Sequence, residues 1–533
     1  QVVLLANEGL IDGGAISAIS DLPGYYVYYG QGTITNSGII RSSGSAATIF
    51  QYRNFNPGNY VENAGLIENL GSGAAIAGNT IFYLDNGANG IIRAASGAAI
   101  TAPSYLSISN SGRIESPGDA IATNGRIDLT NTGTIAGNVV SATGNRYNGS
   151  IIDNRGGLID GDVRLGAGDD VFIADATGIG TVTGRLDAGD GIDTLRYLFL
   201  EDTILDSGMA LPATFEQQAI WVGGSSTLTL GLDFVSTSTI AVGGGDRYYY
   251  NPENRFINRG LIDTNGPALV SDNGATGGLT ASNEGRIRAR LISTDQFAVD
   301  LDNESYFSNS GAISAIGGGA VRITRGDAFA NSGDILADGT AVITTIALAN
   351  SGTIRSTAGL GVDFSNALNG RSTNSGLIEG ATVGARIYYA TLVNNGTIGS
   401  AGTALEFGYS GNFYNESGAI VRGGMAAVRQ SSVYPGSGGS LLSNAGLIIG
   451  DVDFGSGGGG MPSSNMFVAR PSGMLDGDLN LGSDNDTLVT NFVNDGPGQF
   501  AGVSGTVTGN GSENLRYIID GTFATDVGRT GIF

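Results

Sequence analysis

The sequence predicts an all-β chain folded as a long single-stranded parallel β-helix, and three observations carry that reading. One is a recurring unit, Asn-x-Gly-x-Ile, as in Asn350-Ser351-Gly352-Thr353-Ile354. Another is its spacing, roughly 19 to 29 residues, within the range in which a repeat builds a solenoid or an array. The third is composition. Hydrophobic residues make up 41% and charged residues 14%, so the chain should fold, and 90 Gly against only 11 Pro suits many tight turns.

Each part of the unit has a physical role. Asn and Gly tolerate the left-handed backbone of a tight turn, and the Leu or β-branched residue that follows suits a short buried strand. Asn36-Ser37-Gly38-Ile39-Ile40, Asn63-Ala64-Gly65-Leu66-Ile67, Asn131-Thr132-Gly133-Thr134-Ile135, Asn258-Arg259-Gly260-Leu261-Ile262 and Asn374-Ser375-Gly376-Leu377-Ile378 are among its copies. A single unit cannot bury its apolar side, but stacked units can. Stacking also predicts that the Asn side chains lie one above another, each amide bonded to the next. Short apolar pieces between the markers, such as Ala46-Ala47-Thr48-Ile49-Phe50 and Ala98-Ala99-Ile100, read as small packed strands.

Four sections follow along the chain. Residues 1–157 and 241–449 are two blocks of β-helix coils. Each leads into an Asp/Gly-rich solenoid section, 158–240 and 450–533, the second including the C-terminal end. Leu158-Ile159-Asp160-Gly161-Asp162-Val163 returns as Met474-Leu475-Asp476-Gly477-Asp478-Leu479, which points to a long-range duplication. The spacing implies on the order of 20 coils, with a right-handed turn expected for coils this long. At ~4.8 Å per coil the stack would be about 100 Å long.

The composition excludes several kinds of chemistry. Cys and His are both 0, so disulfides, thiolate nucleophiles, a Ser-His-Asp triad and the usual zinc sites are absent. The net charge of -23 opposes nucleic acid as a partner. No run of 18 apolar residues exists to span a bilayer as a helix. Gln1 opens directly into Val2-Val3-Leu4-Leu5-Ala6, so a signal peptide is expected to have been removed already.

The Asn-x-Gly-x-Ile repeats feed into Ile159-Asp160-Gly161-Asp162-Val163-Arg164-Leu165-Gly166-Ala167-Gly168-Asp169-Asp170, with Phe215, Glu216 and Trp221 beyond. In this the chain resembles the passenger regions of bacterial autotransporters over nearly its whole length. That resemblance implies export through an outer-membrane barrel to the exterior or cell surface of a Gram-negative bacterium. No set of amphipathic ten-residue strands follows, so the barrel itself is not expected in this chain.

Metal binding is the leading chemical expectation. Gly166, Gly168, Asp170 and Phe172 match the Gly-Gly-x-Gly-x-Asp-x-large pattern that binds Ca²⁺ between stacked turns, as do Gly189, Gly191, Asp193 and Leu195. Asp190 lies within the second match. Gly482, Asp486 and Leu488 match less fully, because Asp484 replaces a glycine. The ligand candidates for Ca²⁺ are therefore Asp170, Asp193, Asp190 and Asp486, and no other cofactor is expected. The same residues also suit turns that cap strands through side-chain to backbone bonds.

Two function classes are open. The first is an extracellular structural or adhesive surface protein whose rigid rod is the functional object. The second is a β-helix enzyme acting on polysaccharide, for which Asp169/Asp170 and Asp190/Asp193 are the available carboxylate pairs. Every such Asp sits in a turn motif that already explains it, so no enzyme is expected and no catalytic residue is assigned. Partners follow from the same logic. Tyr25, Tyr26, Tyr28 and Tyr29, Tyr248-Tyr249-Tyr250 and Tyr388-Tyr389 could contact glycans or neighbouring surface proteins. Neither end shows a polar cap, so head-to-tail self-association into a filament is expected through Leu4, Leu5, Ile518, Ile519 and Phe533.

Overall fold

The computed structural model describes residues 3–20, 32–51, 59–78, 82–141, 149–174, 181–207, 215–244, 253–272, 278–302, 306–364, 370–408, 410–431, 439–455, 464–482, 485–491, 500–509 and 513–518. These residues form strands and turns, and none of them is helical. Strands of successive coils pair in parallel, equivalent strand on equivalent strand, which makes a β-solenoid. The chain divides into two compact units, Gln1–Phe199 with Met209–Trp221 and Leu200–Gly208 with Val222–Phe533. The division falls inside the 158–240 section, whereas 241–449 and 450–533 belong to one unit.

A coil holds three short strands rather than the single strand that the repeat suggests. In the first unit one coil runs Gly32–Asn36, Ile39–Ser42 and Ile49–Gln51. In the second unit a coil runs Ala347–Asn350, Thr353–Ser356 and Leu360–Phe364. The marker Asn closes the first strand, the marker Gly lies in the turn, and the Ile after it opens the second. The apolar pieces near Ile49 and Ile100 are third strands, Ile49–Gln51 and Ile100–Ala102.

Stacking brings the marker Ile residues together as a ladder in each unit. Ile40, Ile67, Ile92, Ile114, Ile135 and Ile159 are in register, all fully buried. In the second unit Ile262, Ile287, Ile313, Ile335, Ile354, Ile378 and Ile398 do the same. Burying each side chain is worth about 1.5–3 kcal/mol relative to exposure, so the ladder is a major part of what holds coil to coil. Large rings fill the wider places, as where Phe307 and Phe329 lie with centroids 5.4 Å apart.

The Asn residues also stack, as the sequence predicts. In the first unit Asn7, Asn36, Asn63, Asn86, Asn110, Asn131 and Asn154 each donate Nδ2 to the Oδ1 of the next, at 2.7–2.8 Å. The last of them, Asn154, donates instead to Thr181 Oγ1 at 2.9 Å. In the second unit the run is Asn258, Asn283, Asn309, Asn331, Asn350, Asn374, Asn394, Asn415 and Asn444, at 2.7–2.9 Å. Every member is buried. Nδ2 also reaches main-chain carbonyls, as from Asn350 to Gly352 O at 3.2 Å and Leu377 O at 3.3 Å.

The marker glycines have a different reason from the one expected. Gly352 does not adopt positive φ. Instead, a Cβ there would lie 2.1 Å from the carbonyl oxygen of Gly333 one coil away. Gly38 meets Gly9 O at the same distance. Turn packs directly on turn, and only a hydrogen fits between them.

Candidate functional site: a buried acidic column

Asp170 immediately precedes the strand Val171–Ala174, and Asp193 precedes Thr194–Phe199. Those strands are paired Val171 to Thr194, so the two carboxyl groups occupy the same corner on adjacent coils. Glu216 precedes Gln217–Val222 and continues the column. Each acid accepts a main-chain N–H from the coil before it. Asp170 Oδ1 takes the N–H of Ser150, Asp193 Oδ1 takes that of Asp170 at 2.8 Å, and Glu216 Oε2 takes that of Asp193 at 2.8 Å.

Both aspartates are 0% exposed, and in each the second oxygen, Oδ2, is buried without a hydrogen-bond partner. Burial therefore disfavours their charged forms. Asp170 is pushed up to about 7 by desolvation, reinforced by the charge on Asp193 and opposed by the Ser150 N–H. Asp193 is pushed up to about 6, again chiefly by desolvation, with Glu216, Asp169 and Asp187 adding to the effect.

Glycines shape the turn beside the column. Gly166, Gly168 and Gly189 have φ of 92°, 136° and 99°, where glycine is strongly favoured. A Cβ on Gly189 would lie 1.6 Å from Gly166 O. Asp190 holds this stacking through its backbone, donating to Gly166 O at 2.9 Å and accepting from Gly168 at 2.8 Å, while its side chain is exposed. Asp169 is exposed too, its Oδ1 accepting the Ile192 N–H at 3.0 Å. In each carboxylate pair one acid is therefore exposed and the other lies buried, out of a substrate's direct reach.

Asp486 belongs to a second column, in the other unit. Asn465 Oδ1 accepts the Ser440 N–H at 2.9 Å, Asp486 Oδ1 that of Asn465 at 2.6 Å, and Glu513 Oε2 that of Asp486 at 3.0 Å. The order Ser150, Asp170, Asp193, Glu216 thus recurs as Ser440, Asn465, Asp486, Glu513. Asn465 stands where Asp170 does, and its amide oxygen accepts the equivalent main-chain N–H.

Glu216, Glu513 and Asn465 are column members that the motif reading passed over. Equal steps of 23 residues from Asp170 to Asp193 to Glu216 carry the signal in the first unit. Among the described residues, no group of three or more acidic side chains converges as a metal cage. What the column offers is a pair of buried carboxyl oxygens on successive coils.

The remaining candidates are scattered. Leu4 is 66% exposed on Val3–Asn7, and Leu5 is partly buried there. Ile518 closes the strand Asn514–Ile518, which pairs with 487–491. Ile519, Phe533, Tyr25 to Tyr29 and Tyr248 to Tyr250 lie outside the described residues. Tyr389 is exposed at a positive φ of 53°, and Tyr388 packs against Gly408. Comparison of the chain with family models, curated proteins and solved structures gave no match.

Proposed function

We propose that this chain is a structural or adhesive element of a Gram-negative cell surface, exported as an autotransporter passenger, with the coil stack itself as the functional object. The observation that carries this reading is the unbroken column of buried Asn amides in each unit, stacked beside the Ile ladder. From Asn7 to Asn154 and from Asn258 to Asn444 successive coils repeat the amide contact beside a buried apolar residue, so the fold is organised for continuity and not around one cleft. Outward rows add inter-coil ion pairs, such as Arg322 Nε on Asp300 at 2.8 Å and Arg386 Nε on Glu406 at 2.8 Å. Pairs of this kind are each worth little, roughly 0–1 kcal/mol, but they keep the surface charged and hydrated.

Ca²⁺ belongs to the same proposal. Asp170 and Asp193 on adjacent coils would hold the ion, which would supply the positive charge that two buried carboxylates need. The partnerless Oδ2 atoms of Asp170 and Asp193 are the oxygens it would use. End-to-end self-association through Leu4, Leu5 and the C-terminal residues is a further part of the reading. Protease treatment of intact cells tests the location. Release of peptides from residues 3–518 is expected, and none released from intact cells, against full digestion after lysis, would refute it.

A further inference from the structure

One strand of the second unit carries three outward arginines in a row. Arg286–Arg290 alternates sides, so Ile287 and Ala289 are buried while Arg286, Arg288 and Arg290 stand exposed. Successive arginine Cα atoms are about 6.6 Å apart, on a chain whose net charge is -23. Elsewhere on the same sheet Arg355 is matched by Glu379 at 2.7 Å. Here Asp263 stands in register with Arg288 but accepts from Arg290 Nη1 at 2.7 Å instead. Among the described residues, neither Arg286 nor Arg288 has a hydrogen-bond or ion-pair partner.

The next coil leaves room beside this row. Ala312 and Ser314 are the register neighbours of Arg286 and Arg288, and both are small and partly exposed. One coil further, Asp334 is the neighbour of Ala312 and is exposed. A shallow trough thus runs along the strand, with guanidiniums on one side, Asp334 on the other and Ser314 in its floor. Its two sides are two coil rises apart, ~9.6 Å.

We propose that this trough binds a linear acidic polysaccharide, one whose sugars carry carboxylates, laid along the strand. The two sides ask for different groups on one ligand. Arg286 and Arg288 call for anionic oxygens, and a guanidinium meets a carboxylate through two parallel N–H···O bonds. Asp334 calls for O–H donors, which sugar hydroxyls supply, and the Ser314 hydroxyl both donates and accepts. Single-stranded DNA offers the anions without such donors, and Asp334 repels it. The even step between the arginines suits a polymer more than a single acidic sugar, which would engage one of them. The charge of the whole chain acts from further away. At 0.1 M salt the Debye length is about 10 Å, so a contact confined to this row is governed by the charges beside it. Asp263 offsets Arg290 there, which leaves Arg286 and Arg288 against Asp334.

Isothermal titration calorimetry of the full chain with polygalacturonate tests this, at about 0.1 M salt and with chelator present so that no Ca²⁺ bridges acid to acid. Saturable binding is expected, with none for neutral dextran. Arg286→Gln and Arg288→Gln should each weaken binding about threefold, and together about tenfold, while the thermal melt stays unchanged. Arg422→Gln is the control and should bind as the unsubstituted chain does, since Arg422 is exposed on the same sheet but is the only arginine of Ile420–Gly423. Asp334→Ala reads the other side of the trough. Losing an acceptor for sugar hydroxyls should weaken binding about twofold, whereas losing a repelling charge would tighten a partner held by charge alone. Binding to the purified chain does not depend on where the chain resides, so it and the surface role can fail separately. No binding of polygalacturonate, an equal loss in Arg422→Gln, tighter binding by Asp334→Ala, or single-stranded DNA bound as tightly as polygalacturonate would overturn the proposal.

Discussion

Replacing one amide in the middle of the Asn column should cost far more than its surface-like composition suggests. Asn350 is 2% exposed; it accepts from Asn331 Nδ2 at 2.7 Å and donates to Asn374 Oδ1 at 2.7 Å, with weaker bonds to two carbonyls. Asn350→Ala removes two strong side-chain bonds at about 1 kcal/mol each, and leaves Asn374 Oδ1 buried without its donor for about 1–3 kcal/mol more. The expected loss is therefore roughly 3–5 kcal/mol. Urea unfolding followed by far-UV circular dichroism measures it, with hydrogen exchange over 331–374 locating the weakened coils. Asn412→Ala is the matched control, since Asn412 is exposed and its Nδ2 reaches Thr391 Oγ1 only at 3.4 Å. A loss below about 1 kcal/mol for Asn350→Ala, equal to the control, would refute the reasoning.

Three further outcomes follow from other parts of the structure. Gly352→Ala should destabilise strongly, because its Cβ would meet Gly333 O at 2.1 Å, whereas Gly266→Ala, with nothing within 4 Å, should be nearly neutral by the same unfolding assay. Phe329→Ala should cost about 3–5 kcal/mol in urea unfolding by emptying a fully buried site beside Phe307. With chelator present, the first unit should lose stability as pH rises. Asp170 and Asp193 have folded values of about 7 and about 6, above the unfolded carboxyl value, so the folded state binds more protons between. Their protonation stabilises fully below about pH 4, and that contribution fades as pH climbs through 6 and 7. Asp170→Asn should flatten the profile, and a melt that is constant from pH 4 to 8 in the unsubstituted protein would contradict this.

The solenoid was legible because the motif couples a steric need to a core position. Gly at the turn and Ile two residues later recur together, at a spacing that suits stacked coils. The number of strands per coil was less visible, because third strands such as Ile49–Gln51 are three residues long and carry no fixed motif. Asn86 and Asn415 were also hard to place. Their turns are longer, so the core residues Ile92 and Val421 fall six positions on instead of four. The reason for the marker glycines lies between coils, where no local reading of turn preference reaches it. In the acidic column, Asp170 and Asp193 were found through their Gly-rich neighbours. Glu216 lacks those neighbours, and only its even step along the chain ties it to them.

Immunogold electron microscopy of native cells tests the central claim of a structural surface role most directly. Antibody to the second unit should label the outside of intact cells along an ordered fibre or layer, and deleting the chain should remove that structure. Label confined to the cell interior, or a surface unchanged by the deletion, would contradict the account.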